Sequence, residues 1–161
     1  MSLKCIIVDD EPLARSFLDK FCEREGKLFV TGSFADAAWA LEYLKTNEVD
    51  VLFLDVEMPG ITGLELLDQL IYLPQIILTH SKKDYAFEAF QYNVTDYLKK
   101  PIQYNRFQEA VNKVKESLQS NTVDTSQVDL FIKADGKFIR LNYQDILYIE
   151  SIGDYVKYFT V

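Results

Sequence analysis

Val51-Leu-Phe-Leu-Asp-Val-Glu-Met-Pro-Gly60 opens with four consecutive apolar residues and then turns abruptly acidic. A run without alternation suits a strand covered on both faces, as in the middle of a parallel sheet, rather than a strand with one wet face. Asp55 then falls where such a strand gives way to a loop. Working outward, similar short runs recur on both sides, each followed by a helical pattern. Lys4 to Val8 reads as a strand, and residues 11–25 carry Leu13, Phe17, Leu18 and Phe21 at helical spacing. Leu28 to Gly32 reads as a second strand, and Asp36 to Lys45 as a helix with Asp36 as its N-cap. Beyond Asp55, a helix is expected over Leu64 to Leu73, a strand over Gln75 to Leu78 and a helix over Tyr85 to Tyr92. A strand over Thr95 to Leu98 and a last helix over Tyr104 to Leu118 complete the series.

Five strand and helix pairs in strict alternation define an α/β fold, because parallel neighbours need right-handed helical crossovers. The expected architecture is a flavodoxin-like, doubly wound five-stranded parallel sheet of order 2-1-3-4-5. In such sheets ligands collect outside the carboxyl ends of the strands beside the topological switch point. The sequence places Asp9-Asp10 after the first strand, Asp55 after the third and Lys100-Pro101 after the fifth, all on that edge. Single acids at these turns are common as helix caps. Three converging carboxylates, however, repel one another and raise each other's pKa unless a cation joins them. A hard divalent ion such as Mg2+ or Mn2+ answers that need with oxygen ligands and retained waters. Asp55 could then serve as a carboxylate nucleophile toward a phosphoryl group, with Lys100 opposing the charge on its oxygens.

Composition and charge narrow the function classes. The chain has 161 residues and a net charge of -8, and residues 121–161 alone carry 4 basic and 6 acidic side chains, so neither part shows the basic face of a simple nucleic-acid module. No apolar run approaches the roughly 18 residues of a membrane-spanning helix, and the N-terminus enters a strand directly, so a cytoplasmic protein without membrane contact is expected. Cys5 sits in a strand and Cys22 among helical apolar positions, which reads as two reduced, buried small side chains rather than a disulfide or a metal pair. No repeat of 20 to 50 residues is present.

Ile6-Ile-Val-Asp-Asp-Glu-Pro12, Leu52-Phe-Leu-Asp-Val-Glu-Met-Pro-Gly60 with Gly63, and Asp96-Tyr-Leu-Lys-Lys-Pro101 together resemble, in order and spacing, the receiver domains of two-component response regulators. The resemblance covers residues 4 to about 118. It implies that Asp9 and Asp10 form the acidic metal-site pair, Asp9 acting through water, and that Asp55 is the phosphoacceptor. It further implies the Glu57 backbone carbonyl as a metal ligand, Lys100 as the phosphate-pairing lysine and a cis bond before Pro101. A sensor histidine kinase is the implied partner, with a homodimer forming on phosphorylation, and the protein is then a signalling phosphoacceptor rather than an enzyme. The family places Thr or Ser at the end of the fourth strand, and counting back from Lys100 puts His80 there. Thr79 lies one residue early and so faces the other side of the sheet unless the strand is bulged, while Ser81 follows. Tyr97 fits the family's switch aromatic, and equally a half-buried strand residue.

Residues 119–128 are polar and aperiodic and read as a linker. After it, Asp135-Gly136 separates alternating apolar runs, a strong hairpin signal, and two further strands are expected over Ile146 to Glu150 and Tyr155 to Val161, turned at Gly153-Asp154. Lys137 to Leu141, Asp145 to Ser151 and Gly153 to Lys157 resemble the opening strands of a LytTR DNA-binding domain. The expected layout is a receiver over 1–118, a linker over 119–128 and the N-terminal part of a LytTR domain over 129–161, truncated there. DNA is then a partner of the full-length regulator but not of this segment alone. Two other readings stand beside this one: a receiver-only adaptor working by protein contact, and a haloacid-dehalogenase-type phosphatase with Glu57 two residues after its nucleophile. The latter places that nucleophile on a first strand, whereas Asp55 follows the third.

Overall fold

The computed structural model describes residues 2–81, 92–120, 129–142 and 145–161. Backbone contacts divide the chain into two compact units, 1–115 and 116–161.

In the first unit, β1 (Leu3–Val8), β2 (Leu28–Phe34), β3 (Val51–Asp55), β4 (Gln75–His80) and β5 (Asp96–Lys99) form one sheet of order β2-β1-β3-β4-β5, every neighbouring pair parallel. The helices described between and after them are α1 (Pro12–Glu25), α2 (Ala37–Leu44), α3 (Gly63–Gln69) and α4 (Tyr104–Ser120). The helix expected over Tyr85 to Tyr92 falls almost wholly on residues 82–91, outside those described. Some boundaries differ from the sequence reading. β2 and β4 run two residues further than expected, Asp55 is the last residue of β3 rather than the first of its loop, and β5 starts and ends one residue later. The third helix is shorter than Leu64 to Leu73, because Leu70 leaves helical geometry at φ -72°, ψ 137°.

Alternation along each central strand divides the core. Ile6, Val8, Leu52, Leu54, Ile76 and Leu78 pack with Ala37, Ala40 and Leu44 of α2 and with Leu64, Leu66 and Leu67 of α3. On the other face Phe53 stacks on Phe107 of α4 with ring centroids 5.5 Å apart, and Phe21 of α1 lies 5.4 Å from the same ring. Both faces of β3 are therefore sealed, which explains its unbroken apolar run. Asp36 caps α2 by accepting the Trp39 N–H at 2.9 Å. Thr62 and Glu65 form a reciprocal capping box at the start of α3. Gly63, the first residue of α3, lies so close to the Asp55 carbonyl that a side chain there would collide with backbone, and it donates its own N–H to Val56 O at 3.0 Å. The loop after Asp55 is thus folded tightly against the strand that precedes it.

The second unit, described by itself, holds two antiparallel hairpins after the end of α4. β6 (Asp129–Ala134) pairs with β7 (Lys137–Asn142), and β8 (Ile146–Ile152) pairs with β9 (Tyr155–Thr160). Asp135 and Gly136 take φ 52° and 74°, the two positive values that a type I′ turn requires. Gly153 takes φ 58° at the second turn. Phe131, Ile139, Tyr148, Ile149, Tyr155 and Val156 remain exposed on these strands.

Phe107 is fully buried where α1, α4 and β3 meet. Phe107→Ala should lower unfolding stability by about 3–5 kcal/mol, as expected for deleting a core ring that its surroundings cannot refill. Urea denaturation of the two proteins checks this, and a loss below about 1 kcal/mol would show that the cluster is not the central packing contact.

Candidate functional site

β1 lies between β2 and β3, so the direction of chain winding reverses beside it, and the carboxyl ends of β1 and β3 open into the crevice where a ligand belongs. Asp9 follows β1 directly and is fully buried, with its N–H bonded to Phe34 O at 3.1 Å and its Oδ1 accepting the Glu11 N–H at 2.9 Å. Asp55 closes β3 at 2% exposure, and its Oδ1 accepts the Glu57 N–H at 3.1 Å. One carboxylate oxygen each from Asp9, Asp10 and Asp55 lies within 4.8 Å of the others. Oxygen donors alone, mostly buried and this close, fit a hard divalent cation. Asp9 Oδ2 is buried and receives no aligned hydrogen bond among the described residues, its near neighbour being the Lys100 ammonium, so it keeps lone-pair capacity for such an ion.

Lys100 closes the pocket from β5. Its Nζ stands 2.9 Å from Asp9 Oδ2, a charge contact outside hydrogen-bond alignment, and 3.1 Å from Asp55 Oδ2, to which it does donate. Glu11 Oε1 is 3.5 Å away on the solvent side. The Lys100 backbone is fixed by its N–H to His80 O at 2.8 Å, and the Lys100–Pro101 peptide is cis. Burial pushes the Asp55 carboxyl up to about 7, with the Asp9 charge adding to the rise and Lys100 opposing it. Burial alone would lower Lys100, but Asp9 and Asp55 outweigh it and hold the ammonium above its ordinary value.

The end of β4 separates the candidates for a hydroxyl position. Thr79 pairs with Asp55 and Leu98, is fully buried, and its Oγ1 has no partner among the described residues. His80, one residue on, is half-buried opposite Lys99 and lies on the face that carries Leu78 and Tyr97. No bulge interrupts the β4 pairings with β3 or β5, so Thr79 and His80 do face opposite sides. Tyr97 is half-buried against the α2 and α3 side of the core. Its backbone is held twice, with N–H donated to Asp96 Oδ1 at 2.9 Å and the carbonyl accepting Arg106 Nη2 at 3.0 Å. Asp96, 5% exposed, also takes both guanidinium nitrogens of Arg106 at 2.7 Å and Lys113 at 3.1 Å. Burial would raise its carboxyl, yet the Arg106 bonds, the Tyr97 N–H and Lys113 together hold it below the usual range. The sequence reading missed Arg106 and Glu11. Glu11 directly follows the acidic pair and could have been suspected, whereas the Asp96–Arg106 pair spans a loop and carried no local signal. Cys5 and Cys22 are both free and buried.

The doubly wound sheet thus carries an acidic, lysine-closed pocket at its switch point, and comparison with known proteins gives the family. The chain belongs to the response regulator receiver domain family, whose model matches residues 5–112. It is 31% identical over 157 residues to the transcriptional regulatory protein BtsR of Escherichia coli, covering 92% of this chain and 66% of that protein. Against the transcriptional regulatory protein LytR of Staphylococcus aureus it is 31% identical over 158 residues, covering 90% and 64%. The chain thus spans just under two thirds of these relatives' lengths, and the likeness extends past the receiver into the hairpins, as a receiver followed by LytTR-type strands requires. Among solved structures, the response regulatory domain of mrkE from Klebsiella pneumoniae matches at 32% identity and TM-score 0.68, over 73% of this chain and 99% of that one. The receiver domain of AraT from Geobacillus stearothermophilus matches at 34% and 0.67, over 76% and 99%. The family is one of signalling proteins rather than classical enzymes. Among the described residues, no helix is long and apolar enough to cross a membrane.

The raised Asp55 pKa makes stability depend on pH. Unfolded Asp55 ionises near 3.8 and folded Asp55 near about 7, so its contribution in the metal-free protein is complete below the first value and lost as pH rises through the second. Asp55→Asn should therefore gain on the parent between pH 4 and 8 by on the order of 1–3 kcal/mol. Urea titrations in chelator at several pH values measure this, and a difference that stays flat or runs the other way would contradict the assigned burial strain.

Proposed function

We propose that Asp55 accepts a phosphoryl group from a sensor histidine kinase in a site completed by Mg2+ or Mn2+, and that the longer regulator uses this event to control transcription. The observation that carries the reading is the meeting, at one sheet edge, of the buried Asp55 carboxylate, the Asp9 and Asp10 carboxylates and the Lys100 ammonium. Asp9, Asp10, Asp55 and the Glu57 carbonyl would hold the cation, and the cation's positive charge would then oppose that of the phosphoryl oxygens. An Asp55 oxygen attacks phosphorus, an O–P bond forms as the P–N bond of phosphohistidine breaks, and the imidazole leaves with the electron pair. Lys100, already 3.1 Å from Asp55 Oδ2, neutralises charge on the transferred group, and its cis bond to Pro101 belongs to the loop that presents it. His80, at the end of β4 on the face of Tyr97, is the candidate for the phosphoryl contact that the family assigns to Thr or Ser. Thr79 pairs with Asp55 and shares that residue's face of the sheet, opposite to His80 and Tyr97, and Tyr97 is the candidate switch aromatic.

The layout proposed with this reading is a receiver over 1–118, a linker over 119–128, into which α4 extends by two residues, and LytTR-type strands from 129, with the protein cytoplasmic and dimerising on phosphorylation. Phosphorylation adds charge and acceptor oxygens at the strand ends, and a bistable segment of the receiver passes the change to a dimer face.

Intact-mass measurement after acetyl phosphate and Mg2+ tests the central step. The parent should gain one phosphoryl group and Asp55→Asn none, and an unchanged gain in the variant would overturn the assignment. The hairpin region should contribute little to DNA binding by itself, since residues 121–161 carry 4 basic and 6 acidic side chains and affinity for DNA rests largely on neutralised phosphates. A gel-shift titration of this chain against the regulated promoter at physiological salt should show no sequence-specific complex, and specific binding near that of the longer regulator would place the reading surface within these strands.

A further inference from the structure

α1 starts without a side-chain cap, for Glu11 at the N-cap makes no such bond and Pro12 follows at the first turn. Two contacts hold the preceding loop instead. The Glu11 N–H donates to Asp9 Oδ1, and Arg15, one turn into the helix, reaches back so that its Nη1 donates to the Asp9 carbonyl oxygen at 2.7 Å. That carbonyl belongs to the peptide joining Asp9 to Asp10, the two carboxylates that one loop contributes to the acidic cluster. Asp9 is already tied through its own N–H to Phe34 O on β2. The peptide before the Asp9 Cα is thus held by Phe34 and the Asp9–Asp10 peptide after it by Arg15, and the second of these planes leads directly into Asp10.

We propose that Arg15 is a positioning residue for the divalent cation, acting through the Asp9–Asp10 peptide rather than by touching the ion. The proposal rests on the reading of the cluster as a cation site. Groups that orient metal ligands from behind change affinity by roughly 10- to 100-fold when removed. Positioning and simple charge predict opposite signs here, which makes the idea easy to test. A guanidinium beside three carboxylates repels a second cation, so on charge alone its loss would tighten binding. Loss of a positioning bond weakens it.

The test is calorimetric titration of Mg2+ into the parent, Arg15→Met and Arg15→Lys at fixed ionic strength, with circular dichroism to confirm folding. Arg15→Met keeps the apolar stem but not the donor and should bind Mg2+ about tenfold more weakly. Arg15→Lys, which can still donate to the carbonyl, should recover most of the loss. Equal or tighter binding by Arg15→Met overturns the proposal, as does Arg15→Lys behaving like Arg15→Met. Should Arg15→Met fail to fold, Arg15→Leu, which likewise lacks a donor, replaces it in the same comparison. A parent that takes up no Mg2+ would instead overturn the cation-site reading itself, so the two failures are told apart.

Discussion

A single ammonium group standing between two buried carboxylates is the contact on which the rest of the receiver fold turns. Lys100 lies within about an ion-pair distance of both Asp9 and Asp55, and neither acid has much access to water. One positive charge cannot balance two negative ones, so the pocket is left with an excess of negative charge that burial makes costly. The rise in the Asp55 pKa reflects burial first and the unbalanced Asp9 charge second. The surrounding structure tolerates it because the sheet beneath is sealed on both faces, by α2 and α3 on one side and by the Phe53–Phe107 stack on the other. Core packing supplies the stability that the pocket spends, a division common at functional sites.

The same constraint explains why the loops around the pocket are so closely specified. Gly63 has no room for a side chain against the Asp55 carbonyl, and the Glu11 and Glu57 N–H groups each bond the carboxylate two residues before them. These local bonds orient Asp9 and Asp55 in advance of the cation and phosphoryl group proposed for the site. Preorganisation of this kind is what allows electrostatic stabilisation to act without rearrangement during transfer.

Much of this was legible in the sequence because the signals were local. An unbroken apolar run such as Val51 to Leu54 announces a doubly covered strand, and acids directly after such runs must gather at one sheet edge once the strands are parallel. The hairpin at Asp135-Gly136 was equally plain, because two successive positive φ values are a requirement of the turn itself. What stayed hidden depended on partners far along the chain. Nothing near Asp96 announces that Arg106 will chelate it, and nothing near Arg15 announces a bond back to the Asp9 carbonyl. Helix ends were also misjudged where apolar residues continue past the last turn, as Leu70, Ile71 and Leu73 do after α3. Leu70 is buried by the loop fold, so hydrophobicity persists there without helical geometry.

The double anchoring of Tyr97 restricts what that residue can transmit. With its N–H held by Asp96 and its carbonyl by Arg106, the peptide groups on either side are fastened to one guanidinium–carboxylate pair. Sliding the strand would break several charged hydrogen bonds at once, whereas turning the ring about its Cα–Cβ bond breaks none of them. Any message passing through this point must therefore take the form of a torsion between a few staggered positions. In the switch role proposed for Tyr97, such a side chain would act as a latch, giving the receiver discrete states where a sliding strand would give a continuum.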